Sequence, residues 1–182
     1  MKIINTGFEG LYIIEPAVYN DERGYFFESY HFERYQNNKI STRFIQDNES
    51  KSSYGVIRGL HFQIGEFAQT KLVRAVTGRI IDVALDLRKD SATFGKYFTI
   101  ELSEENKRQF YIPQGFAHGF SVLSETTIVN YKCDNYYNKE SERGINLLDS
   151  YLDIDWGIKN SDQIISEKDL LWPSFSETES YF

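Results

Sequence analysis

Two of the three histidines lie in strand-like segments next to cationic side chains. His61 lies in VIRGLHFQ and His118 lies in IPQGFAHGF, while Arg58 and Lys71 flank His61. A neutral imidazole accepts a proton near neutral pH, and an ammonium group stabilises the oxygen of an enolate. A guanidinium holds a phosphate through paired hydrogen bonds. These residue types together predict proton abstraction beside a carbonyl group.

The spacing of Arg58 and His61 leaves two arrangements open. Positions 58 and 61 point to opposite faces of a regular strand. Gly59 permits a bulge that would turn both side chains toward one cavity. In the simpler arrangement Arg58 points to solvent and His61 points inward, as a core or rim histidine.

The elements that must position these residues are short strands. Turn residues separate about ten strand-like runs at roughly ten-residue spacing, which favours an antiparallel sandwich or barrel. Aromatic residues make up 16% of the chain, and they favour strands over helices. RIIDVALDL alternates cleanly, with Ile81 and Val83 on one face and Asp82 and Asp86 on the other. We therefore expect an all-β fold with a few short helices.

Three segments carry helical signals. Residues 31–38 space two aromatic side chains so that they share a helix face. Residues 103–109 and 166–173 each open with a serine, which is a good N-cap. Asp169 follows Ser166 at the spacing of a capping box, so its simplest role is to cap that helix.

Composition excludes several classes of protein. The chain has 182 residues, and we expect one domain over 1–182, with an ordered core to about residue 172 and a short C-terminal tail. A net charge of −7 argues against a nucleic-acid binder, and the acidic surplus is expected on a solvated surface. No segment predicts a signal peptide or a membrane span. The single cysteine, Cys133, excludes an internal disulfide, is expected to be inert, and fits a cytoplasmic protein.

The histidine segments also resemble the two motifs of the cupin family of β-barrels. His61 and His118 stand at histidine positions of those motifs, but Gln63 and Lys71 stand where a second histidine and a glutamate would bind metal. A cation at a metal site repels the metal. The resemblance therefore implies a cupin-type antiparallel β-barrel, or jelly roll, whose pocket has lost its metal and gained positive charge.

Longer stretches closely resemble the dTDP-4-dehydrorhamnose 3,5-epimerase family, cofactor-free cupins of the deoxysugar pathway to rhamnose. The resemblance runs nearly from end to end and does not rest on one short pattern. The matching stretches are DERGYFFE (21–28), FIQDNESKSSYGVIRGLHFQ (44–63), KLVRAVTGRIIDVALDLRKDSATFGK (71–96), QFYIPQGFAHGFSVLSE (109–125), YKCDNYY (131–137), ERGI (142–145) and SEKD (166–169).

This resemblance implies a role for each matching residue. His61 is the implied base, Asp169 its orienting carboxylate, and Tyr131 the acid on the opposite face of the sugar. Lys71 is suited to the developing enolate. The implied contacts with the dTDP-sugar substrate are Arg23, Glu28, Gln46, Asn48, Arg58, His118, Glu142 and Lys168. The resemblance also implies no metal or other cofactor, no nucleic-acid or membrane partner, and a homodimer in which an N-terminal segment joins the neighbour's sheet and brings Arg23 to the partner's pocket.

Other interpretations stay open at this point. Tyr131 is one of 13 tyrosines and would by default be one more barrel aromatic, and Lys71 would lie equally well on a solvated face. A relative that inverts a single carbon would use the same base. A sugar-nucleotide-binding cupin without catalysis and a metal-dependent cupin enzyme are the remaining alternatives.

Overall fold

The protein is built mainly from antiparallel strands. The computed structural model describes residues 1–178 and 181–182. The strands are β1 (Lys2–Asn5), β2 (Tyr12–Glu15), β3 (Tyr19–Asp21), β4 (Gly24–Phe26), β5 (Gln46–Ser53), β6 (Val56–Gln63), β7 (Lys71–Thr77), β8 (Arg79–Asp86), β9 (Tyr97–Ser103), β10 (Gln109–Ile112), β11 (Phe116–Val122), β12 (Thr126–Cys133), β13 (Glu142–Gly144) and β14 (Ile164–Ile165). The helices are α1 (Phe32–Asn37) and α2 (Glu167–Leu170).

Two sheets form the body of the molecule. The first sheet has the order β1-β2-β10-β7-β12-β5, and the second has the order β13-β6-β11-β8-β9. The short strand β14 adds to β6 in parallel, and β3 pairs with β4 in a separate hairpin. The strand order crosses between distant parts of the sequence, as a jelly roll requires. The expected all-β cupin architecture is confirmed.

The hydrophobic core lies between the two sheets. Alternate residues of β7, β10 and β12 meet alternate residues of β8, β9 and β11 there, because side chains alternate across each strand. The outer face of the second sheet is covered by the segment 145–158, and the outer face of the first sheet is covered by α1. Both sheets are therefore covered on two sides, which leaves their interior as the place for a polar cavity.

Two of the three expected helices form. Tyr35 anchors α1 in the core, and Ser166 caps α2 by accepting a hydrogen bond from the N–H of Asp169. The helix expected over 103–109 is wrong: β9 runs to Ser103 and a single turn follows. Ser103 and Asn106 exchange backbone-to-side-chain hydrogen bonds at 3.1 Å, which resemble an N-cap, but Lys107 has a positive φ of 54°. That conformation ends the turn and leads directly into β10.

The end of the chain packs against the second sheet. Phe175, in a 3₁₀ turn (Phe175–Glu177), packs against Tyr151 and Phe94, and Phe182 packs against Phe62 of β6. Two residues of the expected tail, 179 and 180, lie outside the described residues. Among the helices in the described part of the chain, none combines the length and apolar character needed to cross a bilayer.

Candidate active site

Two neighbouring cavities open between the sheets and share three side chains. One has a volume of about 480 Å³ and the other about 310 Å³, and both are lined by His61, Lys71 and Tyr131. His61 comes from β6 of the second sheet, whereas Lys71 and Tyr131 come from β7 and β12 of the first. An imidazole and a phenol therefore line one cavity from facing sheets, and the size suits a small-molecule site.

A bulge brings Arg58 into the same cavity as His61. Their odd spacing would place them on opposite faces, but the register between β6 and β11 shifts between His118 and Phe120. The backbones approach closely at this point, because a Cβ on Gly59 would lie 2.5 Å from the Cα of Gly119. Gly59 also has a φ of +135°, which disfavours any other residue. Of the two arrangements left open by the sequence, the structure has the bulged one.

His61 is paired with a carboxylate from the far end of the chain. Its Nε2 lies 2.7 Å from Oδ1 of Asp169, although 108 positions separate the two residues. The pairing of β14 with β6 sets α2 beside the edge of the second sheet, and the cap by Ser166 fixes the first turn of that helix. Asp169 therefore both belongs to a capped helix and orients the imidazole.

Asp169 stays ionised despite being only 4% exposed. Burial by itself would raise the pKa of this carboxyl group, but hydrogen bonds from His61, Ser166 and the N–H of Gly59 outweigh burial and lower the pKa. A carboxylate held in this way accepts a hydrogen bond from Nε2 of His61, so the imidazole carries its proton on that nitrogen. The other ring nitrogen, Nδ1, is then left to accept a proton.

Burial favours the neutral forms of Tyr131 and Lys71, so it shifts their pKa values in opposite directions. It raises the pKa of Tyr131, so the phenol keeps its proton at neutral pH. It lowers the pKa of Lys71, against the opposing influence of Cys133, Asp82 and Glu142. The thiol of Cys133 also lines the smaller cavity, and burial raises its pKa to about 11, so it stays protonated and unreactive.

A second histidine–carboxylate pair lies at the larger cavity, which His118 lines, and its carboxylate, Asp82, was missed by sequence reasoning. Nε2 of His118 lies 2.9 and 3.0 Å from the two carboxylate oxygens of Asp82, and both residues are buried. Burial lowers the pKa of His118 and raises that of Asp82. The expectation that acidic residues lie on a solvated surface is wrong for Asp82 and Asp86, because both faces of β8 are covered. The signal in the sequence was that Asp82 shares a strand face with Ile80 and Ala84, since a carboxylate among buried apolar residues needs a buried partner.

Polar groups line the remaining walls. Nε of Arg58 donates to Oγ of Ser52 at 3.2 Å, which fixes the guanidinium at the larger cavity. Nζ of Lys168 donates to Oε2 of Glu142 at 2.6 Å across the two cavities. Ten of the twelve residues expected at the site line one or both cavities. They are Gln46, Asn48, Arg58, His61, Lys71, His118, Tyr131, Glu142, Lys168 and Asp169.

Arg23 and Glu28 do not line either cavity in this chain. Arg23 lies in the turn between β3 and β4 and pairs with Asp21 of the same hairpin. Glu28 pairs with Arg34 of α1. Within the described residues β3 and β4 pair with each other and with no strand of the two main sheets. A single chain therefore does not bring Arg23 and Glu28 to the walls of its own cavities.

The donor set does not resemble a metal centre. Over residues 1–178 and 181–182, no three histidine, cysteine, aspartate or glutamate side chains converge as ligands of one ion. Gln63, at one of the cupin ligand positions, donates instead to the carbonyl oxygens of Phe67 and Tyr136. Lys71, at another, presents a cation to the cavities.

Known proteins are similar to this chain in both sequence and architecture. A family profile described as dTDP-4-dehydrorhamnose 3,5-epimerase matches residues 5–177. The enzyme of that name from Methanothermobacter thermautotrophicus is 51% identical over 181 residues, 99% of this chain and 97% of the relative. The crystal structure of the enzyme of that name from Elizabethkingia anophelis has a TM-score of 0.93 and 55% identity, covering 100% of this chain and 99% of the other. A dTDP-6-deoxy-D-glucose-3,5-epimerase from Legionella pneumophila, solved with dTDP-4-keto-L-rhamnose, has a TM-score of 0.93 and 47% identity, covering 98% of this chain and 94% of the other.

Proposed function

The chain belongs to the dTDP-4-dehydrorhamnose 3,5-epimerase family, and we propose that it converts dTDP-4-dehydro-6-deoxy-D-glucose to dTDP-4-dehydro-L-rhamnose by inverting carbons 3 and 5. One observation carries the proposal beyond the family: the His61–Asp169 pair and Tyr131 line the same cavity from facing sheets. Inversion requires removal of a proton from one face of a ring and delivery of a proton to the other.

His61 acts as the base in this proposal. The ketone at carbon 4 acidifies the C–H bonds at carbons 3 and 5, so one enolising site serves both. Nδ1 of His61 takes the proton, the electron pair of the C–H bond forms a double bond to carbon 4, and the π electrons of the ketone move to its oxygen, which gives an enolate. The imidazolium that forms is stabilised by the carboxylate of Asp169, which is 2.7 Å from Nε2.

Tyr131 and the cavity cations complete each inversion. The ammonium group of Lys71 stabilises the enolate oxygen, and the His118–Asp82 pair lies beside it on the second sheet. Tyr131 then gives its phenolic proton to the opposite face of the carbon, as the enolate collapses back to the ketone. Water returns a proton to the phenolate and removes one from His61 before the second inversion. General acid–base catalysis supplies about 10²–10⁴-fold, and positioning and enolate stabilisation supply the remainder.

The nucleotide lies toward the open rim of the cavities. The guanidinium of Arg58 binds the diphosphate, and Gln46, Asn48, Glu142 and Lys168 contact the rest of the nucleotide sugar. The reaction uses no cofactor, because the only groups it requires are a base, an acid and a cation. The lone buried thiol of the chain suits the reducing cytoplasm, where we place the reaction.

A homodimer completes the site. Strand β1 pairs with β2 of its own chain, so the segment that we propose for exchange is the hairpin β3–β4. Its aromatic residues Tyr19, Tyr25 and Phe26 are 64%, 55% and 66% exposed, which is the character of a surface that another chain covers. This exchange would bring Arg23 and Glu28 to the partner's cavity.

The test follows the substrate by NMR in heavy water. The wild type is expected to incorporate deuterium at both carbon 3 and carbon 5, and His61→Ala is expected to lose both exchanges. Tyr131→Phe keeps the ring but removes the proton donor, so exchange is expected to continue while inversion stops. Tyr136→Phe, at an exposed tyrosine outside both cavities, is the matched control and should behave as wild type.

Other outcomes select the other functions. Exchange at one carbon alone would identify a single-carbon epimerase. Tight binding of the nucleotide sugar with no exchange would identify a binding protein, and activity that is lost to a chelator and restored by metal would identify a metal enzyme. His61→Ala exchanging at the wild-type rate would remove His61 from the role of base.

The dimer has its own test. Arg23→Ala and His61→Ala are mixed, unfolded and refolded together so that mixed dimers form. If Arg23 serves the partner's cavity, each mixed dimer has one intact site, and about a quarter of the wild-type activity is expected to return. If both residues serve the same chain, every site carries a defect, and no activity returns.

A further inference from the structure

The segment after α2 places an indole beside the base. Trp172 follows α2 and precedes Pro173, which restricts it to an extended backbone. Asn146, two residues beyond β13, holds this segment on both sides. Its backbone N–H donates to the carbonyl oxygen of Pro173 at 2.8 Å, and its side-chain amide donates to that of Leu170 at 3.3 Å.

The indole occupies the space that a side chain opposite His61 would fill. Gly144 of β13 is the register partner of His61 on β6, and residues so paired carry neighbouring side chains on one face of a sheet. A Cβ on Gly144 would lie 2.6 Å from three atoms of the Trp172 ring. The absence of a side chain at position 144 therefore admits the indole next to the imidazole.

The imidazole and the indole meet edge to face. The centroids of the His61 and Trp172 rings are 6.4 Å apart, and their planes cross at 68°. Nζ of Lys168 lies over the indole ring, 5.6 Å from its centroid. The indole N–H is buried and finds no acceptor within residues 1–178 and 181–182, so packing holds the ring in place, not a hydrogen bond.

We infer that Trp172 is a positioning residue for His61. The hydrogen bond to Asp169 fixes one atom of the imidazole but leaves the ring free to turn about that bond. The indole supplies the second contact, which fixes the plane of the imidazole and aims Nδ1 at the sugar. The inference rests on the proposed function, since it makes Trp172, a residue outside the two cavities, responsible for the direction in which His61 accepts the proton.

Two variants separate this role from simple packing. Trp172→Ala is expected to lower kcat about 10- to 100-fold, whereas KM stays within about threefold and Trp172→Phe keeps kcat within about threefold of wild type. Phenylalanine rescues because it retains the ring contact without the unpaired N–H. Leu171→Ala, at a neighbouring side chain that is 83% exposed, is the matched control and should change neither parameter.

Fluorescence tests the contact without relying on activity or on the alanine variant. The His61 and Trp172 rings are in contact, so His61→Asn at a fixed pH is expected to change the indole emission of the protein. In a Trp172→Phe background, where Trp156 is the remaining tryptophan, the same His61→Asn substitution should leave the emission unchanged.

The outcomes distinguish the two levels of the argument. A wild type without exchange activity would overturn the proposed function. An active wild type with Trp172→Ala at full kcat, or with equal losses in the alanine and phenylalanine variants, would overturn the positioning role. Emission that His61→Asn leaves unchanged, or that it changes equally in the Trp172→Phe background, would do the same.

Discussion

Replacement of Asp169 by asparagine should stop the reaction more completely than the loss of one charge implies. The carboxylate accepts hydrogen bonds from Nε2 of His61 and from the N–H of Gly59, in addition to that from Ser166. Asparagine has a single carbonyl oxygen. If that oxygen stays with Gly59, the amide NH₂ group faces His61 and forces the imidazole proton onto Nδ1, which can then no longer accept a proton from the sugar.

The magnitude follows from these contacts. Hydrogen bonds to charged groups contribute about 1.5–3 kcal/mol, which corresponds to about 10- to 150-fold in rate. Reversal of the tautomer adds to this loss, so Asp169→Asn is expected to lower kcat by at least about 100-fold. Asp169→Ala removes the charge without imposing a tautomer and should therefore be no slower than the asparagine variant.

The assay measures deuterium incorporation at carbons 3 and 5 under saturating substrate, together with calorimetric binding of dTDP, which should not change. Asp47→Asn is the matched control, because Asp47 pairs with Lys132 on the surface and lines neither cavity. If Asp169→Asn retained a third of the wild-type kcat, the imidazole would not depend on this carboxylate, and the reasoning would be wrong.

Three further predictions concern the cavity cation, a buried carboxylate and the bulge. Burial lowers the pKa of Lys71, so the alkaline limb of the pH profile of kcat should lie below the ordinary lysine value of about 10.4. Lys71→Arg should be slower but should move that limb to higher pH, because arginine stays charged. A limb that does not move would exclude Lys71 as its source. Burial alone would raise the pKa of Asp86, but hydrogen bonds led by that from Arg88 lower it, so its stabilisation is present above the unfolded value of about 3.9 and is lost as the pH falls through the folded value. Asp86→Asn should therefore cost about 1.5–3 kcal/mol in urea unfolding at neutral pH and progressively less in acid, whereas a constant difference would contradict the assignment. Gly119→Ala would set a Cβ 2.7 Å from the carbonyl oxygen of Arg58, so a loss of about 1–3 kcal/mol in thermal unfolding is expected, together with reduced activity; full stability would mean that the two strands separate without cost.

The alternation of apolar and polar residues was sufficient to predict the sheets, because a period of two is imposed by strand geometry. It could not predict which face of a strand finds a partner. Acidic residues in general were expected at the surface, yet Asp82 is fully buried, because His118 is placed beside it by the neighbouring strand β11. Burial of that carboxylate is tolerated because β8 pairs with β11, which supplies its hydrogen-bond partner. A local sequence pattern does not predict which distant segments pair.

Capping signals predicted a turn correctly but not its length. Ser103 and Ser166 both accept a hydrogen bond from the N–H three residues ahead. After Ser166 the chain continues as α2, whereas after Ser103 it returns at once into β10. Local hydrogen bonding decides where a helix begins, and tertiary packing decides whether it continues. At Asp169 the backbone N–H takes part in the cap made by Ser166, while the side chain, which the capping interpretation would have used, is bonded to His61.

The distance along the chain between His61 and Asp169 has a consequence for how the protein acquires its reactivity. Every strand of the two main sheets except the short β14 lies before residue 145, and the carboxylate that orients the base follows β14, at residue 169. A ribosome therefore completes the whole barrel before it synthesises the residue that aims the imidazole. The growing polypeptide can assemble its strands as an inert scaffold and becomes a competent acid–base catalyst only after Asp169 has been added and docked beside His61.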